Sequence, residues 1–198
     1  MQKKRLSVLI ALVLVCASVG SVFAQDVSCE TELGTDSGGE HFFSQYVFFD
    51  TKNTNVLSRY FWVRGVLNRG ELAAGPTLRF KKGQTLKLQI GGTTDREVML
   101  ALTYIAHFGT REVMYIADGK IATRDGPSTL YQKMFVPISS DSTWQLRVEH
   151  LQVGEKQNFL HIGVEVQRPL RGKKLLYIAP FVDPVIHGVG VQAGLRFF

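Results

Sequence analysis

Cysteine and long apolar runs are the features that this sequence lacks most clearly. It has two cysteines among 198 residues, and only Cys29 lies beyond the first 24 residues. One thiol cannot form a disulfide within a chain, so burial or a membrane has to hold an exported form of this protein together. Beyond residue 24 there is also no run of about 18 apolar residues, the length that a transmembrane helix needs.

The first 24 residues have the order of a secretory signal peptide. A basic start, KKR, is followed by an apolar run at 6–16 and then by small residues up to Ala24. This order predicts export, with cleavage between Ala24 and Gln25. A membrane-anchor helix is the alternative, but the apolar run is short for a span and ends in Ser and Gly.

Charge does not point to a nucleic-acid partner. Cleavage after residue 24 would remove three of the 23 basic residues and none of the 17 acidic ones, which leaves a net charge of +3 in place of +6. The remaining basic residues are dispersed rather than arranged in a stripe with aromatic residues. We therefore predict no binding of nucleic acid.

Two regions follow the predicted signal peptide. Residues 25–40, QDVSCETELGTDSGGE, are acidic and rich in Gly, Ser and Thr, which predicts a flexible lead-in. From residue 41 to residue 198 the dominant pattern is an alternation of apolar and polar residues with a period of two, typical of β-strands. In LHIGVEVQ, at 160–167, Leu160, Ile162, Val164 and Val166 share one face of the predicted strand.

Turn signals recur at short and fairly even intervals through residues 41–198. They include NRG, KKGQ, GGTTDR, FGTR, SSDS and LRGKK. KKGQ joins TLRF to TLKLQI, a clear hairpin. Even spacing of this kind favours an antiparallel barrel or sandwich with simple up-and-down connections.

Two all-β folds share this alternation, and they differ in where the apolar face points. In a sandwich it points into a shared core, whereas in a membrane barrel it points outward to lipid. Membrane strands need about 9–11 residues, and five segments reach that length: 55–67, 96–108, 142–153, 157–168 and 186–198. Aromatic residues flank many segments, as in the girdles of membrane barrels.

The C-terminal sequence GVGVQAGLRFF, together with LAAGPTLRF and YIAPFV, resembles bacterial outer-membrane β-barrel proteins. The resemblance covers residues 41–198 as a pattern. It implies an outer-membrane location, contact with outer-membrane lipid, and a terminal aromatic signal, here Phe197 and Phe198, that the barrel assembly machinery reads. Phe197 is in phase with the apolar face, whereas Phe198 is in phase with Arg196 and Gln192.

We therefore predict an all-β protein, an antiparallel up-and-down transmembrane β-barrel of about ten strands, within a range of about 8 to 12. The alternative is a soluble periplasmic β-sandwich that binds a ligand or a partner. One segment opposes long membrane strands: YIADGKIA predicts a tight turn at Asp118-Gly119, which would place residues 118–128 in an outer loop.

In the last predicted strands, polar residues alternate with the residues of the apolar face and would point inward. These polar residues predict an ion-pair network in the lumen. The residues of this predicted network are Arg147, Glu149, His161, Glu165, Gln167, Gln192 and Arg196. The other histidines, His41, His107, His150 and His187, lie in separate segments without the spacing of metal ligands. We expect no metal site, no cofactor and no catalytic site, and a monomer that has a structural role or allows small solutes to pass.

Overall fold

The computed structural model describes residues 26–39, 41–64, 66–109, 111–122, 128–141, 143–155, 157–171 and 173–198. The predicted signal peptide, with its cleavage point between Ala24 and Gln25, lies outside the described residues. No helix among the described residues is long and apolar enough to cross a membrane.

Twelve strands make up the described fold. They are β1 Asp26–Asp36, β2 His41–Asp50, β3 Thr54–Val63, β4 Leu67–Arg79, β5 Thr85–Thr93, β6 Glu97–Phe108, β7 Arg111–Ala122, β8 Thr129–Pro137, β9 Trp144–Val153, β10 Gln157–Leu170, β11 Lys174–Asp183 and β12 Gly188–Phe197. A short 3-10 helix, Lys81–Gly83, lies in the turn between β4 and β5, where the sequence predicts the KKGQ turn of a hairpin.

The strands form one closed antiparallel barrel. Each strand pairs with its neighbours in the chain, and β1 pairs with β12 to close the sheet, Cys29 opposite Phe197 and Asp36 opposite Gly190. The predicted up-and-down barrel is confirmed, with twelve strands rather than about ten. The alternative of a β-sandwich is wrong, because the twelve described strands form one sheet that closes on itself.

The apolar faces of the strands point outward. Leu33, Ile90 and Ile178 are 60%, 63% and 51% exposed, whereas their polar neighbours in the same strands are largely buried inside. Leu160, Ile162, Val164 and Val166 share the outer face of β10, and Ile162 is 37% exposed while Glu165 on the inner face is 0% exposed. This arrangement, apolar outside and polar inside, is that of a barrel in a lipid bilayer.

The prediction of a flexible lead-in at residues 25–40 is wrong for β1. Residues 26–35 pair with β2, and residues 29–36 pair with β12. Two acidic residues of the predicted lead-in, Glu30 and Glu32, point into the lumen and pair with cations there.

The turn predicted at Asp118-Gly119 is also wrong. Strand β7 continues through both residues, and Asp118 lies opposite Ala101 of β6 and Tyr131 of β8. Its carboxylate pairs with Arg59 across the lumen, so a tertiary contact overrides the local preference for a turn. The NRG signal at 68–70 lies inside β4 for the same reason, because Arg69 is a lumen residue.

An even number of strands places both ends of the barrel chain on one rim. We call this the terminal rim; there β2 connects to β3, β4 to β5, β6 to β7, β8 to β9, and β10 to β11. At the opposite rim β1 connects to β2, β3 to β4, β5 to β6, β7 to β8, β9 to β10, and β11 to β12.

Candidate functional site

Ionised side chains fill much of the barrel interior. Seven lysines and arginines of the described strands take part in ion pairs there: Arg59, Arg69, Lys87, Lys120, Lys133, Arg147 and Arg196. Nine carboxylates of the same strands face them or His161: Glu30, Glu32, Asp50, Glu71, Glu97, Asp118, Glu149, Glu165 and Asp183.

The first cluster is centred on Arg147 of β9. Its Nη2 atom donates to Glu32 Oε2 of β1 at 2.6 Å and to Glu149 Oε2 at 2.8 Å, and its Nη1 atom donates to Glu165 Oε2 of β10 at 3.2 Å. Arg196 of β12 donates to both oxygens of Glu165, at 2.5 Å and 2.9 Å. Arg147 therefore links β1, β9 and β10, and Arg196 links β12 to β10.

Further polar groups complete this cluster. Lys133 of β8 donates to Glu32 at 3.0 Å, and the Tyr177 hydroxyl donates to Glu32 at 2.7 Å. Gln167 donates to Glu165 at 2.7 Å. Gln192 donates to Glu149 at 3.2 Å and lies 3.3 Å from Nδ1 of His161.

The structure thus brings all seven residues of the predicted network into one cluster. Sequence analysis missed Glu30, Glu32, Lys133 and Tyr177, because their elements are 101 or more residues from their partners. Charged residues at inward parity within strand-like segments are the signal that could have found Lys133.

A second cluster lies on β3, β4, β6 and β7, and sequence analysis missed it entirely. Arg59 bonds Glu71 through Nε at 2.5 Å and pairs with Asp118 at 2.7 Å across the lumen. Arg69 pairs with Glu71 at 3.1 Å and with Glu97 at 2.5 Å. Lys120 pairs with Glu71 at 3.1 Å and also contacts Asp118. Three cations thus meet three carboxylates, so the cluster has no net charge.

Aromatic side chains join the two clusters and narrow the lumen between them. The hydroxyls of Tyr46 on β2 and Tyr131 on β8 are 2.8 Å apart, and Tyr131 donates to Glu149 at 2.9 Å. The guanidinium of Arg59 lies 4.5 Å from the ring centre of Phe61 and 5.1 Å from that of Tyr131, within the range of cation–π attraction. Strands β2 and β3 therefore touch β7 and β8 through side chains, and these contacts cross the middle of the barrel.

A pocket lies on the opposite-rim side of this constriction. Its cavity volume is about 50 Å³, and its walls include Phe42, Val63 and Phe159. Its floor includes Glu149, His161 and Gln192 of the first cluster. His161 is stacked on Phe181 at 4.0 Å and lies 3.6 Å from Asp183. The pocket forms a vestibule with apolar walls above a charged floor.

The remaining predicted site residues lie away from the vestibule. Phe197, on the outer face of β12, pairs with Cys29 and Lys174, and Phe198 is 62% exposed at the terminal rim. The described residues include no group of three or more His, Cys, Asp or Glu side chains that could hold a metal ion. The role of Phe197 and Phe198 as an assembly signal stays a prediction.

The barrel is similar in fold to solved structures of a porin and of an outer membrane protein. A solved structure of the KdgM porin in complex with disordered oligogalacturonate, and one of the KdgM porin alone, each match with a TM-score of 0.59 at 10% identity, over 86% of this chain and 98% of theirs. The outer membrane protein Omp33 of Acinetobacter baumannii matches with a TM-score of 0.54 at 9% identity, over 86% of this chain and 96% of that one. No protein-family model and no curated protein matches the sequence.

The comparison and the geometry agree on a class of fold. The chain is a closed antiparallel β-barrel with an apolar exterior and a charged lumen, and its fold is similar to that of the solved KdgM porin. The resemblance to bacterial outer-membrane β-barrel proteins that the C-terminal strand indicates is confirmed at the level of the fold.

Proposed function

We propose that the protein is a narrow channel for small solutes in the bacterial outer membrane. The observation that carries the proposal is the lumen, where ionised and hydroxylated side chains face one another across a closed barrel. About eight strands leave an interior that side chains fill, whereas 16 or more leave an open channel. Twelve strands lie between these limits, and the constriction by Tyr46, Tyr131 and Arg59 is consistent with a narrow passage.

The constriction is formed by side chains, which can change rotamer while the strands of the barrel wall stay in place. The groups that cross the middle of the lumen are tips of long side chains, such as the Arg59 and Asp118 pair and the two tyrosine hydroxyls. Rotamer changes of such groups take place far faster than movements of a barrel wall. Water and small solutes then pass when individual contacts open, and larger molecules are held in the vestibule.

The charge balance of the lumen bears on the class of solute. One structural neighbour is a porin solved with an acidic oligosaccharide, oligogalacturonate. In this chain the carboxylates of the lumen ion pairs outnumber the lysines and arginines, nine to seven within the described strands. We therefore propose small neutral or cationic solutes, and we do not carry over the acidic substrate.

Conductance across a planar lipid bilayer tests the channel. The native protein should give small, resolvable conductance steps, and the double variant Tyr46→Ala with Tyr131→Ala should raise the step size several-fold, because it removes the aromatic bridge without leaving a charge unpaired. Tyr60→Ala is the matched control, since Tyr60 lies on the outer side of β3 and bonds Asn68 at 2.8 Å. Its conductance should equal that of the native protein.

A structural role is the second candidate, and the density of cross-lumen contacts favours it. Arg147 alone reaches three carboxylates. If neither the native protein nor the double tyrosine variant conducts, the channel proposal fails and the network serves to stabilise a closed barrel. We propose no catalytic role for either case. The protein is proposed to be an exported monomer that contacts outer-membrane lipid and is assembled by the barrel assembly machinery.

A further inference from the structure

Exposed cations are concentrated at one end of the barrel. Around the terminal rim, seven exposed lysines and arginines of the described residues lie in turns or on the outer face of strand ends: Lys52, Lys81, Arg111, Arg168, Arg171, Lys173 and Lys174. We call these residues the basic collar. The acidic residues of the same described rim outside the lumen are Asp26, Glu112 and Asp141.

The opposite rim has no such excess. Its described turns and adjoining strand ends carry the cations Arg64 and Arg96 and the acids Asp36, Asp95 and Glu155. The two ends of the barrel therefore differ in charge although their turns have similar lengths. Uniform surface charging for solubility would not produce this difference.

Exposed aromatic residues show the same asymmetry. Among the described residues, the aromatic side chains with large exposure are Phe80 at 50%, Phe108 at 64%, Trp144 at 48% and Phe198 at 62%. All four lie at the terminal rim. Aromatic side chains at the edge of a membrane barrel lie at the depth of the lipid headgroups, so they place the basic collar among the headgroup phosphates.

The acids at this rim offset only part of the charge of the collar, because three carboxylates stand against seven cations among the described residues. Asp141 accepts hydrogen bonds from the Ser139 hydroxyl at 2.7 Å and from the Thr143 amide at 3.0 Å. These bonds to Ser139 and Thr143 lower the pKa of Asp141 to about 2, and they hold the ionised carboxylate within its own turn. Glu112 is paired with His107 at 3.5 Å.

We propose that the basic collar binds the phosphate groups of anionic phospholipids at the terminal rim. The proposal rests on the membrane-spanning barrel proposed above. Each exposed Lys or Arg near an anionic membrane surface attracts its headgroups, and the attraction is screened by salt. Because the described residues of the opposite rim carry no excess of cations, we expect the preference for anionic lipid only at the terminal rim.

The two tryptophans of the chain make this proposal measurable. Trp144 lies at the terminal rim, where it pairs with Val166, and Arg168 follows Val166 by two residues on the outer face of β10. Trp62 lies near the opposite rim on β3, opposite Asn68. With Trp62→Phe only Trp144 reports, and with Trp144→Phe only Trp62 reports.

The experiment places each single-tryptophan protein in vesicles of brominated phosphatidylglycerol or brominated phosphatidylcholine mixed with unbrominated lipid, and measures quenching of fluorescence. Trp144 should show binding of phosphatidylglycerol about threefold or more tighter than that of phosphatidylcholine, weakening with added salt. Trp62 should show no preference. Arg168→Gln with Arg171→Gln should remove the preference at Trp144, and the matched control Arg64→Gln should leave it unchanged.

Each result decides one of the two proposals. Equal quenching of Trp144 by both lipids, or an equal preference at both tryptophans, overturns the basic collar as an anionic-lipid site while the membrane barrel stands. Absence of quenching at both tryptophans by either lipid overturns the membrane barrel itself, and the lipid site with it.

Discussion

Glu165 shows at the scale of single residues how the lumen network stabilises the barrel. It is 0% exposed and accepts hydrogen bonds from Arg147, Arg196 and Gln167. The attraction between this buried carboxylate and its two guanidinium partners offsets the cost of removing all three charges from water. Removal of one member leaves the others buried without compensation, which costs more than the intact pair contributes.

Glu165→Gln should therefore lower the free energy of unfolding by about 3 kcal/mol. The side chain keeps its shape but loses the charge that faces Arg147 and Arg196. Urea unfolding of the barrel in phospholipid vesicles, followed by tryptophan fluorescence, measures the change. Glu155→Gln, in an exposed turn of the opposite rim, is the control and should change stability by less than about 0.5 kcal/mol. Equal effects of the two substitutions would contradict the network.

At the scale of strands, inward glycines on β12 allow aromatic side chains of β11 to lie flat against the wall. A Cβ atom at Gly194 would collide with the Tyr177 ring and hydroxyl, and one at Gly190 would collide with the Phe181 ring. Tyr177 lies opposite Gly194, and Phe181 lies opposite Gly190. The glycines in the C-terminal GVGVQAGLRFF segment are thus required by packing inside the lumen.

Gly194→Ala should destabilise the barrel by about 1–3 kcal/mol, the range for overpacking a filled site. The added methyl group displaces Tyr177, whose hydroxyl bonds both Glu30 and Glu32 at 2.7 Å. Thermal unfolding monitored by gel mobility gives the midpoint. Gly119→Ala is the matched control on β7, because a Cβ atom there meets nothing within 4 Å, and its midpoint should stay unchanged. A Gly194→Ala midpoint equal to the control would show that Tyr177 is not held as described.

Strands also show where sequence reasoning succeeds and where it fails. The alternation in LHIGVEVQ and the KKGQ hairpin were predictable, because each depends on residues close together in the chain. Strand β1 was not predictable from the sequence. Its inward acids, Glu30 and Glu32, pair with Lys133, Arg147 and Arg196, which lie on distant strands. The prediction of a turn at Asp118-Gly119 was wrong for the same reason, because Arg59, the partner of Asp118, lies on another strand.

The residues of the candidate site also differ in whether the sequence alone could predict them. The alternation of apolar and polar residues within β9, β10 and β12 was enough to predict Arg147, Glu165 and Arg196 as lumen residues. The second cluster, with Arg59 on β3 and Asp118 on β7, depends on which side chains of non-adjacent strands meet in the lumen. No local pattern encodes these contacts, because they form only when the barrel is assembled.

At the scale of the whole molecule, closure between β1 and β12 defines the fold. Cys29 lies directly opposite Phe197 in this seam, and it is the one cysteine of the described residues. A single substitution can therefore report on the register of closure.

Phe197→Cys, in a chain produced from residue 25, should form a disulfide with Cys29 under mild oxidation in folded protein. Paired residues on adjacent strands lie within the Cα separation that a disulfide accepts. The circular product migrates differently on a denaturing gel and reverts on reduction. Val191→Cys is the control, since Val191 lies opposite Thr35, and it should give no such product. Cross-linking of both variants, or of neither, would show a different seam.

The long sequence separation within the lumen network has a consequence for biogenesis. Lys133 and Arg147 are 101 and 115 residues from Glu32, and Arg196 is 166 residues from Glu30. These long-range pairs form only when β1 and the late strands come together, so they cannot form while the chain is unfolded. The step that closes the barrel therefore also completes the lumen network, and it brings the apolar side chains together on one continuous outer surface.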